Sequence, residues 1–537
     1  MAATPATNLT IVSSGLQDAR LQPSRGNPDI NQFITVVRKT TRWAAQWNRV
    51  EFDGSPEFGQ RVSLTIPRIA ELVAGVTIAV TMPDIYGPQL AAIRAAGGTS
   101  LDLSGNFLGP LFGWTNSLGH ALIQQIELEI GGVIVETIDS RLLEIYDELY
   151  ETTEATLAKN RMIARAPAGF SNRTFLAPIP QTVYVPIPFW FSRPGNYSSA
   201  LPLDAINAEK VRIHVTFRPI NQLVYTDARV DTRTVGYRPG IDPAQGAMWP
   251  ITNARFWKRS MDLSGAKVGT VYSMRASSPQ TGISGELIQG VTMPPRFSPQ
   301  QAYALIEYIS LDEYEAITFR TAELTYHVEQ HLMMPQQATQ GQKEVRMEIP
   351  FANPVKELLW VAQRPEAETY NAWFLFTRDL APVVPSYLGT QSPCSIPWWP
   401  DAQPVPTAAN NWQSVPGFQT SYSEPLEGAT LLYNAYDRFV HEGASYFRGL
   451  VPAQYYTKSA LYNRYVYAYS FGLRGDSTTS EPTGAANWDK LGRKEFYITL
   501  NNSRLGAAPP NLNIYVYATI WNVFKVFGGR GAMLFSN

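Results

Sequence analysis

The sequence predicts an all-β protein of two antiparallel sandwiches of the jelly-roll kind, with a few short helices in the connections. Three observations carry this. Short runs alternate apolar and polar residues with a period of two on both sides of the chain midpoint. Glycine and proline are frequent, 38 and 40 of 537 residues, as a chain with many turns requires. Charged residues are only 17% and aromatic residues 12%, which suits extensive buried β surface, some of it between subunits. At roughly 200–250 residues for a large β domain, the length holds two.

The alternating runs can be taken in order. Val62, Leu64 and Ile66 alternate with Ser63, Thr65 and Pro67. Ile126, Leu128 and Ile130 alternate with Gln125, Glu127 and Glu129, then meet Gly131-Gly132 and resume at Val133. Two glycines between such runs predict a tight hairpin, because primed turns need positive φ. Residues 183–189, punctuated by Pro186 and Pro188, read as an edge strand. Val211, Ile213, Val215 and Phe217 give one buried face, and Val345, Met347, Ile349 and Phe351 another. Near the end, Ile514, Val516, Ala518 and Ile520 alternate with Tyr515, Tyr517, Thr519 and Trp521. The first set should point into a sandwich; the second is aromatic and should also be covered. Helical periodicity is confined to 139–156, where Leu142, Leu143, Ile145, Tyr146 and Leu149 form a stripe opposite Glu144, Asp147, Glu148 and Glu151, and to a short stretch at 311–320.

Two stretches break the pattern. Residues 226–255, rich in Asp, Arg, Gly and Pro, are the expected divide between the domains. Residues 380–428 carry nine prolines and almost no alternation, so they are expected on the outer face or at subunit contacts, with Trp398, Trp399 and Trp412. The resulting organisation is an N-terminal arm at 1–25, a first domain at 26–245 and a second at 246–537.

Composition excludes several functions. Lys+Arg is 44 and Asp+Glu 45, a formal net charge of −1, which argues against nucleic acid as a partner. The lone Cys394 permits no intrachain disulfide and sits in a proline-flanked loop without a visible activating base. The first residues show no basic and apolar regions of a signal peptide, and no apolar run reaches membrane-helix length. Five histidines are few for catalysis. His327 and His331 lie four apart but lack the H-E-x-x-H pattern and a third ligand. Glu127 and Glu129 share a wet strand face. No phosphate loop or nucleophile elbow occurs. Catalytic residues, cofactors and metals are therefore all expected to be absent. The candidate sites are minor: glycosylation acceptors at Asn8, Asn172, Asn196 and Asn501, and the attachment tripeptide Arg474-Gly475-Asp476.

Five segments in order resemble one family. They are Trp114-Thr-Asn-Ser-Leu-Gly-His-Ala-Leu-Ile-Gln-Gln-Ile-Glu-Leu-Glu-Ile-Gly-Gly132 with Leu143-Glu-Ile-Tyr-Asp-Glu-Leu149; Phe189-Trp-Phe-Ser-Arg-Pro-Gly195 with Ala200-Leu-Pro-Leu203; Asn353-Pro-Val-Lys-Glu-Leu-Leu-Trp-Val361; Asp437-Arg-Phe439 with Tyr446-Phe447; and Ile514-Tyr-Val-Tyr-Ala518 with the ending Phe535-Ser-Asn537. Together they resemble the major capsid proteins of nucleocytoplasmic large DNA viruses, with phycodnaviruses and iridoviruses nearest in kind. Asn196-Tyr-Ser-Ser199 interrupts the second signature, and 380–428 matches none. The resemblance implies a double jelly roll of two eight-stranded sandwiches. It also implies a homotrimer of pseudo-hexagonal outline that tiles an icosahedral shell, with neighbouring capsomers and minor capsid proteins as partners. The arm would face the inner virion membrane, and assembly would take place in the host cytoplasm. Two other classes fit the composition: a carbohydrate-active β-sandwich enzyme, and a receptor- or carbohydrate-binding surface protein supported by the tripeptide and the acceptor sites.

Overall fold

Among the described residues, sixteen strands in four sheets build the two sandwiches, four shorter strands pair at their margins, and one order of pairing occurs twice. The structure is a computed structural model that describes residues 42–83, 112–165, 181–192, 197–226, 298–365, 373–378, 424–460, 464–475, 483–502 and 508–535, with Glu368 and the paired strands at 270–275 and 286–292. The first roll contains β1 (Trp43–Glu51), β2 (Arg61–Thr65), β3 (Leu72–Thr81), β4 (Ile123–Ile130), β5 (Val133–Asp139), β6 (Thr182–Pro186), β7 (Val211–Phe217) and β8 (Gln301–Leu311). One sheet runs β1-β8-β3-β6 and the facing sheet β2-β7-β4-β5. The second roll contains β9 (Leu324–Met333), β10 (Glu344–Glu348), β11 (Pro354–Gln363), β12 (Leu426–Tyr433), β13 (Tyr436–Gly443), β14 (Val466–Ser470), β15 (Lys494–Leu500) and β16 (Asn513–Phe527). Its sheets run β9-β16-β11-β14 and β10-β15-β12-β13, the same order shifted by eight. Every pairing is antiparallel.

The period-two runs place their apolar sets as expected. Leu64, Ile126, Leu128, Ile213 and Val215 are buried in the first sandwich, facing Ile78, Val185 and Ile306. Gly131 and Gly132 take φ of 62° and 88°, the two positive values of a primed turn, which side chains rarely adopt. The proline-punctuated β6 is the outermost strand of its sheet. In the second sandwich Trp360 is the central side chain. Its ring stacks on Tyr467 at 5.7 Å and meets Phe447 and Phe496 edge-on at 5.0 and 5.2 Å.

The expected divide at 245/246 is not where the sheets part. β8 lies between β1 and β3, with Trp43 opposite Leu311 and Gly75 opposite Glu307. A strand well past the midpoint thus closes the first sheet. The polar stretch 226–255 falls in the connection from β7 to β8, inside the first roll, and from 227 onward lies outside the described residues. Glycine and proline serve a long connection within a domain as well as they serve a linker between domains. Sheet pairing passes to the second roll across a helix at Glu313–Thr321, capped by Asp312. The arm at 1–25, Cys394, and residues 380–423 with their three tryptophans also lie outside the described residues; Glu424 to Gly428 lead into and begin β12.

The helical stretch 139–156 divides in two. With α1 as the short turn Leu118–Leu122, these are α2 (Ser140–Tyr150) and α3 (Thr153–Met162). The Asp139 carboxylate accepts from the Leu142 amide and the Thr152 hydroxyl from the Ala155 amide, so each helix has its own cap. The acids opposite the apolar stripe of α2 are not a solvated face: Glu144, Asp147 and Glu148 are all buried.

β16 lies between β9 and β11, at the centre of its sheet. Its Val516 and Ala518 share the inner face with Trp360, while Tyr517 on the other face donates to Asp139 of the first roll at 2.9 Å. A truncation lacking residues 512–537 should yield no soluble protein, since it strips the core and opens two strand edges. Recovery of a soluble, cooperatively melting truncated chain would refute this.

Candidate functional site

The two rolls meet across a buried polar contact, and this contact is the functional feature the residues build. On the first roll it comprises β5, α1, α2 and the end of α3. On the second it comprises the outer face of β9-β16-β11 and the segment before β14. Glu144 of α2 is the hub. Its carboxylate receives Arg165 at 2.6 Å, Ser117 at 3.2 Å and Arg464 of the second roll, and lies 2.7 Å from His120 Nδ1. One turn on, Asp147 pairs with Lys159 at 2.5 Å and lies 3.4 Å from His120 Nε2. Glu148 lies 3.3 Å from Arg464. Burial pushes the Glu144 carboxyl up, but Arg165, Arg464 and His120 outweigh it and hold it well below the usual carboxylate range. Burial likewise opposes, and Lys159, His120 and Arg165 overcome it, at Asp147.

The sheet face continues the contact. His331 Nδ1 lies 2.8 Å from Glu136 Oε1, and the Gln330 amide donates to the Val135 carbonyl at 2.6 Å. Glu357 accepts from Thr519 and Tyr456, both at 2.6 Å, and from Tyr150 of α2. Lys356 pairs with Glu329 at 2.6 Å. Arg141 packs over the Tyr515 ring at 4.0 Å and pairs with Glu368. Arg218 lies over Trp373 at 3.7 Å; burial, together with Arg141, lowers its pKa to about 9. The contact is apolar as well, with Trp190 against Phe524 at 5.6 Å, and the buried apolar residues of both rolls form one continuous cluster.

A second buried charge cluster lies within the second roll. Glu424, just before β12, accepts from Tyr467 and pairs with Arg448 at 2.9 Å. Arg448 sits on the π-helical turn Tyr446–Leu450 and covers Tyr465 at 4.5 Å. Burial dominates here and raises the Glu424 carboxyl to about 7 despite Arg448.

This arrangement joins two sandwiches into one body. Among the described residues there is no group of three or more His, Cys, Asp or Glu that could hold a metal, and no helix long and apolar enough to cross a membrane. Two family models match the sequence. One, described as major capsid protein N-terminus, covers residues 31–258. The other, described as large eukaryotic DNA virus major capsid protein, covers 315–532. The chain belongs to the major capsid proteins of large eukaryotic DNA viruses. The major capsid proteins of Chrysochromulina ericina virus and Paramecium bursaria Chlorella virus 1 are each 22% identical to it over 98% of this chain, covering 99% and 98% of their own lengths. Capsid protein 1 of Acanthamoeba polyphaga mimivirus is 31% identical over 40% of the chain and 34% of its own length. Among solved structures, a quasi-atomic model of the PBCV-1 virus capsid aligns with a TM-score of 0.63 at 19% identity, covering 94% of this chain and all of that one. The Faustovirus major capsid protein aligns at 0.59 and 10% identity, with 93% of both chains covered. The double jelly roll is thus the fold that the pairing above and these likenesses share.

Asn501 directly follows β15, and its side-chain amide donates to the Glu424 and Leu426 carbonyls at 3.0 and 2.8 Å. Asn8, Asn172 and Asn196 lie outside the described residues, as does Asp476. Arg474 is exposed, whereas Gly475 is buried with its backbone against the Tyr456 ring, where a Cβ would come within 2.5 Å. His327 is exposed while His331 reaches into the inter-roll contact, so the pair is divided between two environments. Glu127 and Glu129 are held across strands, Glu127 in an ion pair with Arg61 at 2.6 Å, and Glu129 2.6 Å from His214 Nε2 and 3.3 Å from Arg212. Sequence reasoning missed the inter-roll charge network. Its one local signal was the trio of acids on α2 at spacings of three and four, which places them together on a helix.

Two outcomes follow from the charges. Arg464→Met should cost about 3–5 kcal/mol in urea denaturation, because it leaves buried acids short of a counter-charge; a loss below about 1 kcal/mol would refute the role. Glu144 and Asp147, held low, contribute stability above the unfolded carboxylate pKa that is lost as pH falls below about 4. Glu424 has the opposite sign. Its folded pKa of about 7 lies above the ordinary 4.5, so its contribution is present below the ordinary value and lost as pH rises through 7. Glu424→Gln should therefore gain up to about 3 kcal/mol relative to the wild type between pH 5 and pH 8. An unchanged difference at the two pH values would count against it.

Proposed function

We propose that three copies of this capsid chain assemble into a capsomer of pseudo-hexagonal outline, which tiles an icosahedral shell. The observation that carries this is the repeated roll. Each chain presents two sandwiches of one strand order, joined side by side, so a ring of three chains presents six similar units. In this reading the first unit ends at β8 and the second begins at β9, with the helix at Glu313–Thr321 between them. Neighbouring capsomers and minor capsid proteins are the further partners. The N-terminal arm at 1–25 lies on the inner side of the shell, toward a membrane, and assembly takes place in the host cytoplasm. The role is structural: family membership supports a building block.

Sedimentation of the purified chain tests the reading. A trimer at micromolar concentration is expected, and a stable monomer would overturn it. Deleting residues 2–20 should leave that trimer intact while impairing its assembly into larger shells. Loss of the trimer itself would contradict the place given to the arm.

A further inference from the structure

The chain crosses from the first roll to the second by the helix at Glu313–Thr321, and the N-terminal segment enters the structure beside it. The ladder of β1 and β8 extends one step past the strands, where the Asp312 amide donates to the Arg42 carbonyl at 3.1 Å. Asp312 then caps the helix, which leads to β9. Because β1 and β8 are antiparallel, the chain traced back from Arg42 and forward from Asp312 leaves the sheet on the same side. The inner side of the helix packs on the first roll, with Ala316 buried and Phe319 against the cluster of Leu72, Ala74, Ala200 and Ile309. On its other side Tyr314 is 82% exposed and Ile317 49%, three residues apart and so on one face. Past the helix, Leu324 of β9 pairs with Val526, which sets Phe527, 71% exposed, opposite Glu323. These three large apolar side chains line the way from one roll to the other, and such a row in water marks an interaction surface.

The segment that enters here has the matching chemistry. Residues 30–37 read Ile30-Asn-Gln-Phe-Ile-Thr-Val-Val37, the densest apolar stretch before β1 and rich in residues that favour extended backbone. Arg38 and Lys39 follow it, and the first turn of the helix carries Glu313 and Glu315. The match to the capsid N-terminus model starts at residue 31, inside this stretch and after the arm at 1–25. Length agrees as well. An extended chain advances about 3.3 Å per residue and a helix about 1.5 Å, so roughly four residues before Arg42 span the helix. Val36 and Val37 then come level with its far end, and Phe33 and Ile34 have the reach to Phe527.

We infer that residues 30–41 form a strap along the helix at Glu313–Thr321, with Phe33, Ile34, Val36 and Val37 covering Tyr314, Ile317 and Phe527 of the same chain. The strap gives the two rolls a second tie, made by the chain's own N-terminal segment, besides the buried polar contact. It also divides that segment in two: residues 30–41 belong to the body of the protein, and the arm proper ends before them.

Two experiments on the full chain test this, and neither depends on the oligomeric state. The wild type and the double variant Tyr314→Ser, Ile317→Ser are treated with trypsin, and the new N-termini are read by mass. Arg20 and Arg25 lie before the strap and serve as internal standards. In the wild type, cleavage after Arg38 and Lys39 should be at least about tenfold slower than after Arg20 and Arg25, and the variant should lose most of that protection, since cleavage tracks the population of the undocked segment. Independently, Gln32→Cys is combined in a Cys394→Ser background either with Lys525→Cys, two residues from Phe527, or with Ile69→Cys, an exposed position just before β3. With a short bismaleimide the first pair should cross-link within one chain, and the second, off the path, should not. Equal cleavage at all four sites in the wild type overturns the inference, as does linkage of the Ile69 pair alone. Linkage of the first pair between two chains gives the strap to a neighbouring copy and overturns its assignment to its own chain.

Discussion

The constraint on which the rest of the structure depends is the electrostatic balance between the rolls. Glu144, Asp147 and Glu148 leave water together on one helix, and no residue of α2 neutralises them. Their counter-charges come from α3, from the segment after it and, through Arg464, from the other roll. Removing charges from water is costly, and only complete pairing offsets it. The arrangement therefore tolerates few relative positions of the two sandwiches. A purely apolar contact could slide, whereas this one has defined partners, and a shell built from many copies requires each copy to have the same shape.

The hydrogen-bonded aromatics act in the same direction. Tyr150, Tyr456 and Thr519 converge on Glu357, and Tyr517 reaches Asp139. Each spans from one element to another, so the polar end of the side chain sets its direction while the ring fills space. The outer face of β16 is aromatic because it serves as the floor of this contact, and its inner face is aliphatic because it lies in a sandwich. One strand thus belongs to two interiors.

Much of this was legible in the chain. β2, β4, β7, β10 and β16 declared themselves by alternation, since each has one face in a core and pleating imposes a period of two. The Gly131-Gly132 hairpin and the edge position of β6 were legible for equally local reasons. β1 was not, because its exposure on both faces removes the pattern that reveals a strand. The assignment of β8 was not either. Its neighbours lie more than two hundred residues earlier, and nothing local to a strand names them. The buried acids of α2 read as a wet face because their partners are remote: Arg464 is 320 positions away from Glu144. The five ordered segments named the family correctly, and they cluster where strands and helices build the two rolls and the contact between them.

The position of β8 and β16 in their sheets has a kinetic consequence. Each sits between a pair of strands that emerge from the ribosome long before it. β1 and β3 wait for a partner some 220–270 residues downstream, which at roughly 5–20 residues per second is a delay on the order of 10–50 s. β9 and β11 wait likewise for a strand some 150–200 residues downstream. Until then each sheet has a gap at its centre and four unpaired edges, and loop closure over such distances is slow. Neither roll completes during synthesis of its own early strands, and each must wait for the strand that fills its centre. The chain therefore passes through an open, adhesive stage, and its yield depends on what shields those edges until the last strand arrives.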